Sequence, residues 1–440
     1  MGFTPGGPPR ILIVGGGYVG MYTALGLQSK LAGGEASVHV VDPQPQMTYQ
    51  PFLPEAAAGS IEPRHVVVPL RRVLRRCHVV GGRVTSVDHA HRFATIENCA
   101  GQLERRSYDV LVMAPGSIAR TLPIPGLAEH GIAFKTIGEA IYLRNHVLSR
   151  LEAADATAEP RLRRKLLSFV VIGGGYAGIE VLGELEDMAR YACRYYESIE
   201  PADMRWVLVE ATGRIMPEVS PRMGRYTAKE LTGRGIEILL NTRVTTMENG
   251  HVVLDDGTEF DADTIVWTAG VRANPVLRQT DLPLDDRKRL RCTATLQVVG
   301  CPEVFSAGDC AAVPDLTSKD PNAICAPSAQ HAVRQARVLA DNVIAHLRGQ
   351  PLGRYHHRYA GSVASLGLYR GVAEVYGVRL KGIVAWLMHR TYHLSRMPTF
   401  NRKVRIVADW TTALLFHREV VALGQINDPK ADFVRANAAS

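Results

Sequence analysis

Two doubly wound α/β units in one chain are predicted by three features of the sequence: a glycine-rich turn placed between a buried-strand pattern and a helical one, a second copy of that turn, and an acidic residue closing the strand after each copy. The first copy is the apolar run Arg10–Val14 followed by Gly15-x-Gly17-x-x-Gly20. The second is Ser168–Ile172 followed by Gly173-x-Gly175-x-x-Gly178, about 158 residues later (Gly15 to Gly173). Short runs of Ile, Leu and Val without alternation suit parallel strands covered on both faces. Helices are expected over about 19–31 and 179–195, and further strands over Ser37–Asp42 and Arg205–Glu210, which makes each copy a βαβ unit.

The remaining elements follow in order. Tyr108–Gly116 reads as another buried strand ending in a loop, and Pro123–Gly126 as a chain crossing; Leu151–Lys165 reads as a helix end and an exposed connection. Asn249-Gly250 and Asp255-Asp256-Gly257 have the chemistry of hairpin turns. Asp263–Gly270 closes the second unit, and the chain is expected back in the first near Cys292. Glu303–Asp309 is a buried strand delivering an acid at the carboxyl end of a sheet, where such folds bind ligands. A helix starts near Ser328. The expected division is 1–125 and 292–350 for the first unit, 126–291 for the second, and 351–440 for a C-terminal segment.

Composition bounds the function. A chain of 440 residues, 46% hydrophobic and 21% charged, is globular material for two or three domains. Its seven cysteines are odd in number and form no C-x-x-C or C-x4-C pair, which excludes a zinc knuckle, argues against an active-site disulfide, and favours reduced thiols in a cytosolic setting. The opening nine residues lack the basic-then-apolar order of a signal peptide, so none is expected. No run of about 18 apolar residues occurs, so no spanning helix is expected. The net charge of +8 does not point to nucleic acid, because the excess is concentrated. Val375–Ala408 holds no acid but carries Arg379, Lys381, Arg390, Arg396, Arg402, Lys403 and Arg405.

A single G-x-G-x-x-G is weak evidence, since glycine turns are common. Its chemistry needs a first glycine for the tight turn, a second for backbone approach to a pyrophosphate and a third for helix–strand packing, with the helix N-terminus turned to the phosphates. Asp42 and Glu210 stand where a carboxylate accepts ribose hydroxyls, with a solvated strand-end charge as the lesser alternative for each. Two complete copies make two dinucleotide sites the better reading, and Asp309 suits a polyol chain such as the ribityl group of a flavin.

The sequence resembles the two-dinucleotide-domain flavoprotein reductases, and within them the type II NADH:quinone oxidoreductases. The broad resemblance lies in both glycine loops, Ala114-Pro115-Gly116, Glu180, Ala269-Gly270 and Ala307-Gly308-Asp309. The narrower one lies in Tyr49–Gly59, Ala329-Gln330-x-Ala332 and Gly382–His389. It implies FAD held by Gly15, Gly17, Gly20, Asp42, Gly116, Gly308, Asp309 and Ala329, and NADH held by Gly173, Gly175, Gly178, Glu210 and Gly270. Glu180 would lie at the nicotinamide–flavin junction, with Gln330 and Arg370 toward the flavin and quinone. The family's A-Q-x-A-x-Q is broken here by Arg334, with Gln335 one residue later, and His389 stands where many members have tryptophan. For His331 a packing or surface role is the simpler reading; for Glu180 a favourable helix dipole is the alternative to the junction role.

Projected at about 100° per residue, Ile383, Val384, Trp386, Leu387, Met388, Thr391, Leu394 and Met397 share an arc, with His389, Tyr392, His393 and Arg396 opposite and Arg390 interrupting it. That pattern predicts an amphipathic, membrane-facing segment in which Arg390 snorkels to anionic headgroups; packing against the first unit or a homodimer partner is the alternative. The expected activity is two-electron transfer from NADH to a membrane quinone, without proton pumping, at the cytoplasmic side of the membrane. Two rivals stay open: a soluble FAD reductase serving a protein such as a ferredoxin, and a non-catalytic redox sensor or accessory subunit.

Overall fold

The structure is a computed structural model that describes residues 7–357, 361–422 and 430. It divides into two compact units, Met1–Thr48 with Val67–Ile118 and Val271–Tyr359, and Tyr49–Val66 with Ala119–Gly270 and Ala360–Ser440. The chain returns to the first unit at Val271, ahead of Cys292. Both Tyr49–Val66 and the C-terminal residues belong with the second unit.

The first unit is built on an eight-stranded sheet in the order Gln297–Val298, Cys301–Ser306, Val110–Met113, Arg10–Val14, Ser37–Asp42, His78–Asp88, Phe93–Asn98, Leu103–Ser107. Its central strands are parallel, and Ile11, Ile13, Val40, Leu111 and Phe305 are fully buried. The helices Tyr18–Lys30 and Ala329–Leu347 pack on each other. Gly26 permits that approach, since a Cβ there would lie 2.7 Å from the Ala340 Cβ.

The second unit has a five-stranded, all-parallel sheet in the order Gly131–Ala133, Thr264–Trp267, Ser168–Ile172, Arg205–Glu210, Ile236–Leu240. An antiparallel meander, Val244–Thr246, His251–Leu254 and Glu259–Asp261, turns at the two hairpin sequences. Asn249 takes φ 55° at the first turn and Gly257 φ +86° at the second. A second antiparallel sheet, Gly361–Ser365, Gly371–Val375 and Val378–Lys381, leads into helices Gly382–Arg396 and Phe400–Phe416.

Helix Gly382–Arg396 exposes part of the expected arc and turns Trp386 and Arg390 inward. Ala385, Trp386, His389 and Arg390 are buried, whereas Ile383, Val384 and Leu387 are about half exposed, at 53%, 55% and 49%. Arg390 does not snorkel. Its Nη2 lies 2.8 Å from Glu55 Oε2, and its guanidinium stacks on the Trp386 and Trp410 rings. An internal carboxylate and two indoles replace the water that the arginine gives up. Among the described residues no helix is long and apolar enough to cross a membrane.

Candidate functional site

In the first unit the glycine loop has the geometry its spacing requires. Gly15 takes φ +100°, where a Cβ would meet the Ala114 carbonyl oxygen at 2.3 Å, and a Cβ on Gly20 would lie 1.8 Å from the Gly15 carbonyl oxygen. Gly17 is the N-cap of helix Tyr18–Lys30, with no side chain capping it and open space where its Cβ would be. The first-turn amides therefore face a cradle that a side chain at Gly17 would fill, which fits a pyrophosphate. Asp42 accepts from the Gly16 amide at 2.6 Å and the Gln44 amide at 2.7 Å, so its carboxylate is fixed at the strand end. Burial pushes the Asp42 pKa up, against the lowering effect of those two amides.

At the carboxyl edge of the same sheet, Gly116 takes φ +66° with open space at its Cβ position. Ser117 Oγ donates to Asp309 Oδ2 at 2.6 Å. The Gly308 amide donates at 2.7 Å to Oε1 of Gln335, a side chain only 1% exposed. Gln335 therefore ties helix Ala329–Leu347 to the Gly308–Asp309 turn. Ser328 caps that helix by accepting from the His331 amide, which sets Ala329 and Gln330 in its first turn. Gln330 Oε1 lies 3.3 Å from His357 Nε2. His331 is buried against Tyr355, its Nδ1 2.8 Å from the phenol oxygen.

The second unit repeats the loop. Gly173 takes φ +112° against Thr268, and a Cβ on Gly178 would lie 1.9 Å from the Gly173 carbonyl oxygen. Gly175, the N-cap of helix Tyr176–Ala192, and Gly270, at φ +90°, have open space. Glu210 accepts from the Gly174 amide at 2.6 Å, the Thr212 amide at 2.8 Å and Thr212 Oγ1 at 2.7 Å. The Arg214 guanidinium is spent on the Met216, Pro217 and Val219 carbonyls rather than on Glu210. Both loops thus fit a dinucleotide by the same test: space where a Cβ would stand, and a carboxylate locked at the next strand's end.

Below the second loop, helix Tyr176–Ala192 turns Glu180, Glu184 and Glu186 inward. Glu180 Oε1 accepts from the Ser365 amide at 3.1 Å and lies 3.1 Å from His389 Nε2. Glu184 receives Ser365 Oγ at 2.8 Å and Arg418 Nη2 at 2.9 Å, and burial pushes its pKa up while Arg418 opposes. Arg370, in the Gly367–Arg370 turn, has its Nη1 3.6 Å from Asp187 Oδ1. Sequence reading passed over Glu55, Ser117 and Arg418 and gave Gln335 and His389 no partner. The one available signal was Glu55, which lies inside the distinctive Tyr49–Gly59 stretch.

The model of the family described as pyridine nucleotide-disulphide oxidoreductase matches residues 9–336. The chain is 30% identical over 429 residues to the type II NADH:quinone oxidoreductase Ndh of Mycobacterium tuberculosis, covering 93% of this chain and 90% of that protein. It is 29% identical over 412 residues to the demethylphylloquinone reductase NdbB of Synechocystis, covering 92% and 96%. The structure of NDH2 from Plasmodium falciparum in complex with NADH superposes with a TM-score of 0.85 at 17% identity, over 94% of this chain and 99% of that one, a likeness of fold.

Proposed function

We propose, because this chain belongs to the pyridine nucleotide-disulphide oxidoreductases and within them to the type II NADH:quinone oxidoreductases, that its first glycine loop holds FAD and its second holds NADH. The chain is an enzyme of NADH-oxidising, quinone-linked redox chemistry. The observation carrying the finer reading is the duplicated cradle, open at Gly17 and at Gly175, with Asp42 and Glu210 locked beside them.

In the first unit the amides after Gly17 take the pyrophosphate, Asp42 the ribose, and Asp309, oriented by Ser117, the ribityl hydroxyls. Bound FAD would supply the redox chemistry, accepting two electrons and passing them on. In the second unit the amides after Gly175 take the NADH pyrophosphate and Glu210 takes the adenosine ribose, which favours NADH over a 2′-phosphorylated nucleotide. Gly116, Gly308 and Ala329 on the FAD side, and Gly270 on the NADH side, keep the backbone low around the ligands. Glu180 serves the nicotinamide–flavin junction, and Gln330 and Arg370 serve the quinone side, in line with the family resemblance. No cysteine pair follows the first glycine turn, so electrons leave the flavin directly for a quinone, in a transfer without proton pumping.

The enzyme works at the cytoplasmic side of the membrane as a peripheral protein. Supporting this, Phe400, Leu414, Leu415 and Phe416 on the last helix are 81%, 65%, 67% and 78% exposed, in the same unit as Ile383, Val384 and Leu387. Exposed apolar side chains among basic ones suit an anionic lipid surface, where neither attraction alone holds firmly. A homodimer is compatible with the same face. Sedimentation of the purified protein with anionic vesicles tests the attachment: binding that weakens with salt supports it, and no binding at low salt overturns it.

A further inference from the structure

The interior of the second unit holds three carboxylates that approach one another from two helices, Glu55 on Leu53–Ala57 and Glu180 and Glu184 on Tyr176–Ala192. Two arginines answer them: Arg390 pairs with Glu55 at 2.8 Å and Arg418 with Glu184 at 2.9 Å. Among the described residues Glu180 has no arginine. Its cationic neighbour is His389, whose side chain is 1% exposed and whose Nε2 lies 3.1 Å from Glu180 Oε1, out of line for a full hydrogen bond. On the other side of the ring, Nδ1 faces Glu55 Oε1 at 3.9 Å. With both arginines charged and all three acids ionised, the cluster is one positive charge short. A buried carboxylate held, among the described residues, only by the Ser365 amide is costly without a cation, and His389 is the group placed to supply one.

We propose that His389 is a positioning residue that stores, against Glu180, the one proton that each turnover draws from the medium. The inference rests on the proposed quinone activity. NADH gives up a hydride, that is two electrons and one proton, while reduction of a quinone to a quinol takes two electrons and two protons. The balance is NADH + H⁺ + Q → NAD⁺ + QH₂. The step assigned here breaks His389 Nε2–H and forms Glu180 Oε1–H; that O–H then breaks as the proton passes from the 11% exposed carboxyl group to an oxygen of the reduced quinone, forming one of the two quinol O–H bonds, and a proton from the medium returns to His389 through the same carboxylate. Burial alone would push the His389 pKa down, but Glu180, with help from Glu55 and Glu184, pushes it above the ordinary value. His393, with its ring centroid 4.6 Å away, has its pKa pushed well down by desolvation and by the charge of His389. Arg390, Arg418 and, 3.9 Å from Arg418, Asp187 are the further charged groups around the cluster, and Trp410 Nε1 donates to Glu55 at 2.9 Å. A resident proton removes the wait for one to arrive by a dry route.

Two measurements on the flavin-loaded full chain test this. Imidazole ¹⁵N spectra, with His389→Gln identifying the signal, should show a ring that stays cationic above pH 7 in the native protein and becomes neutral there in Glu180→Gln. Stopped-flow traces of His389→Gln should show flavin bleaching by NADH within about twofold of native. Recovery of colour on adding quinone should slow at least tenfold above pH 7.5 and lose the native fall with rising pH. A neutral His389 ring in the native protein at pH 6.5 overturns the proposal, as does equal slowing of both phases or an unchanged quinone phase. Native protein that reduces no quinone overturns the proposed function itself, a separate result.

Discussion

Replacing Gly17 by valine should remove the flavin and leave the fold standing, whereas replacing Gly20 even by alanine should damage the fold itself. The two glycines are three residues apart in one loop, and the structure separates their duties. Gly17 has extended backbone, φ −71° and ψ −155°, with nothing within 4 Å of an added Cβ, so the branch point of a valine meets no protein atom. The folded-state penalty is that of a poor N-cap, on the order of 1 kcal/mol. The same side chain occupies the space through which a pyrophosphate would reach the helix amides. Losing two charge-assisted hydrogen bonds, at about 1.5–3 kcal/mol each, weakens FAD binding by about 3–6 kcal/mol, or roughly a hundredfold to ten-thousandfold. A Cβ on Gly20 would instead lie 1.8 Å from the Gly15 carbonyl oxygen, which no local adjustment absorbs. Flavin content after purification, a reconstitution titration followed by flavin fluorescence, and urea unfolding of the apoproteins read both effects. Native-like FAD affinity in Gly17→Val would refute the cradle assignment.

Three further outcomes are expected. Arg390→Met should destabilise the protein by about 3–5 kcal/mol, because Glu55 is left buried without its cation; most of that should return in the double variant with Glu55→Gln, and urea midpoints that show no recovery would place the cost elsewhere. Native protein should have a higher kcat/KM for NADH than for NADPH, and Glu210→Ala should lose about 1.5–3 kcal/mol of NADH transition-state binding while narrowing the gap. Equal efficiencies in the native enzyme would remove Glu210 as the discriminator. Leu387→Glu and Leu415→Glu should each weaken binding to anionic vesicles with flavin content unchanged, and unaltered binding in both would assign those exposed side chains to another surface.

How much of this was legible in the sequence depended on the range of the interactions involved. The glycine loops were readable because their requirements are local: Gly15 and Gly173 need positive φ, Gly20 and Gly178 touch a carbonyl five residues back, and Asp42 and Glu210 close the next strand. The hairpin at Asn249 declared itself in the same way. In helix Gly382–Arg396 the exposed side with Ile383, Val384 and Leu387 was readable, but the inward turn of Trp386 and Arg390 was not, because periodicity sorts residues by polarity. The partners that draw His389 and Arg390 inward, Glu55 and Glu180, lie more than 200 residues away in the chain. Ser117 with Asp309 and Arg418 with Glu184, 192 and 234 residues apart, were hidden in the same way, and Gln335 with Gly308, 27 apart, because one side-chain amide on a backbone N–H leaves no pattern in the sequence. The exposed apolar side chains of helix Phe400–Phe416 are mixed with Asn401, Arg402, Lys403 and Asp409 and give no clean stripe.

The most direct test of the central claim is steady-state turnover of the purified, spectrally characterised protein with NADH and a panel of quinones, with quinol counted against NADH consumed. The account predicts a yellow protein carrying FAD, one quinol formed per NADH oxidised, and a clear dependence of rate on quinone concentration. A colourless protein that takes up no FAD, or a flavin-loaded one that oxidises NADH at the same rate with and without quinone, would contradict it.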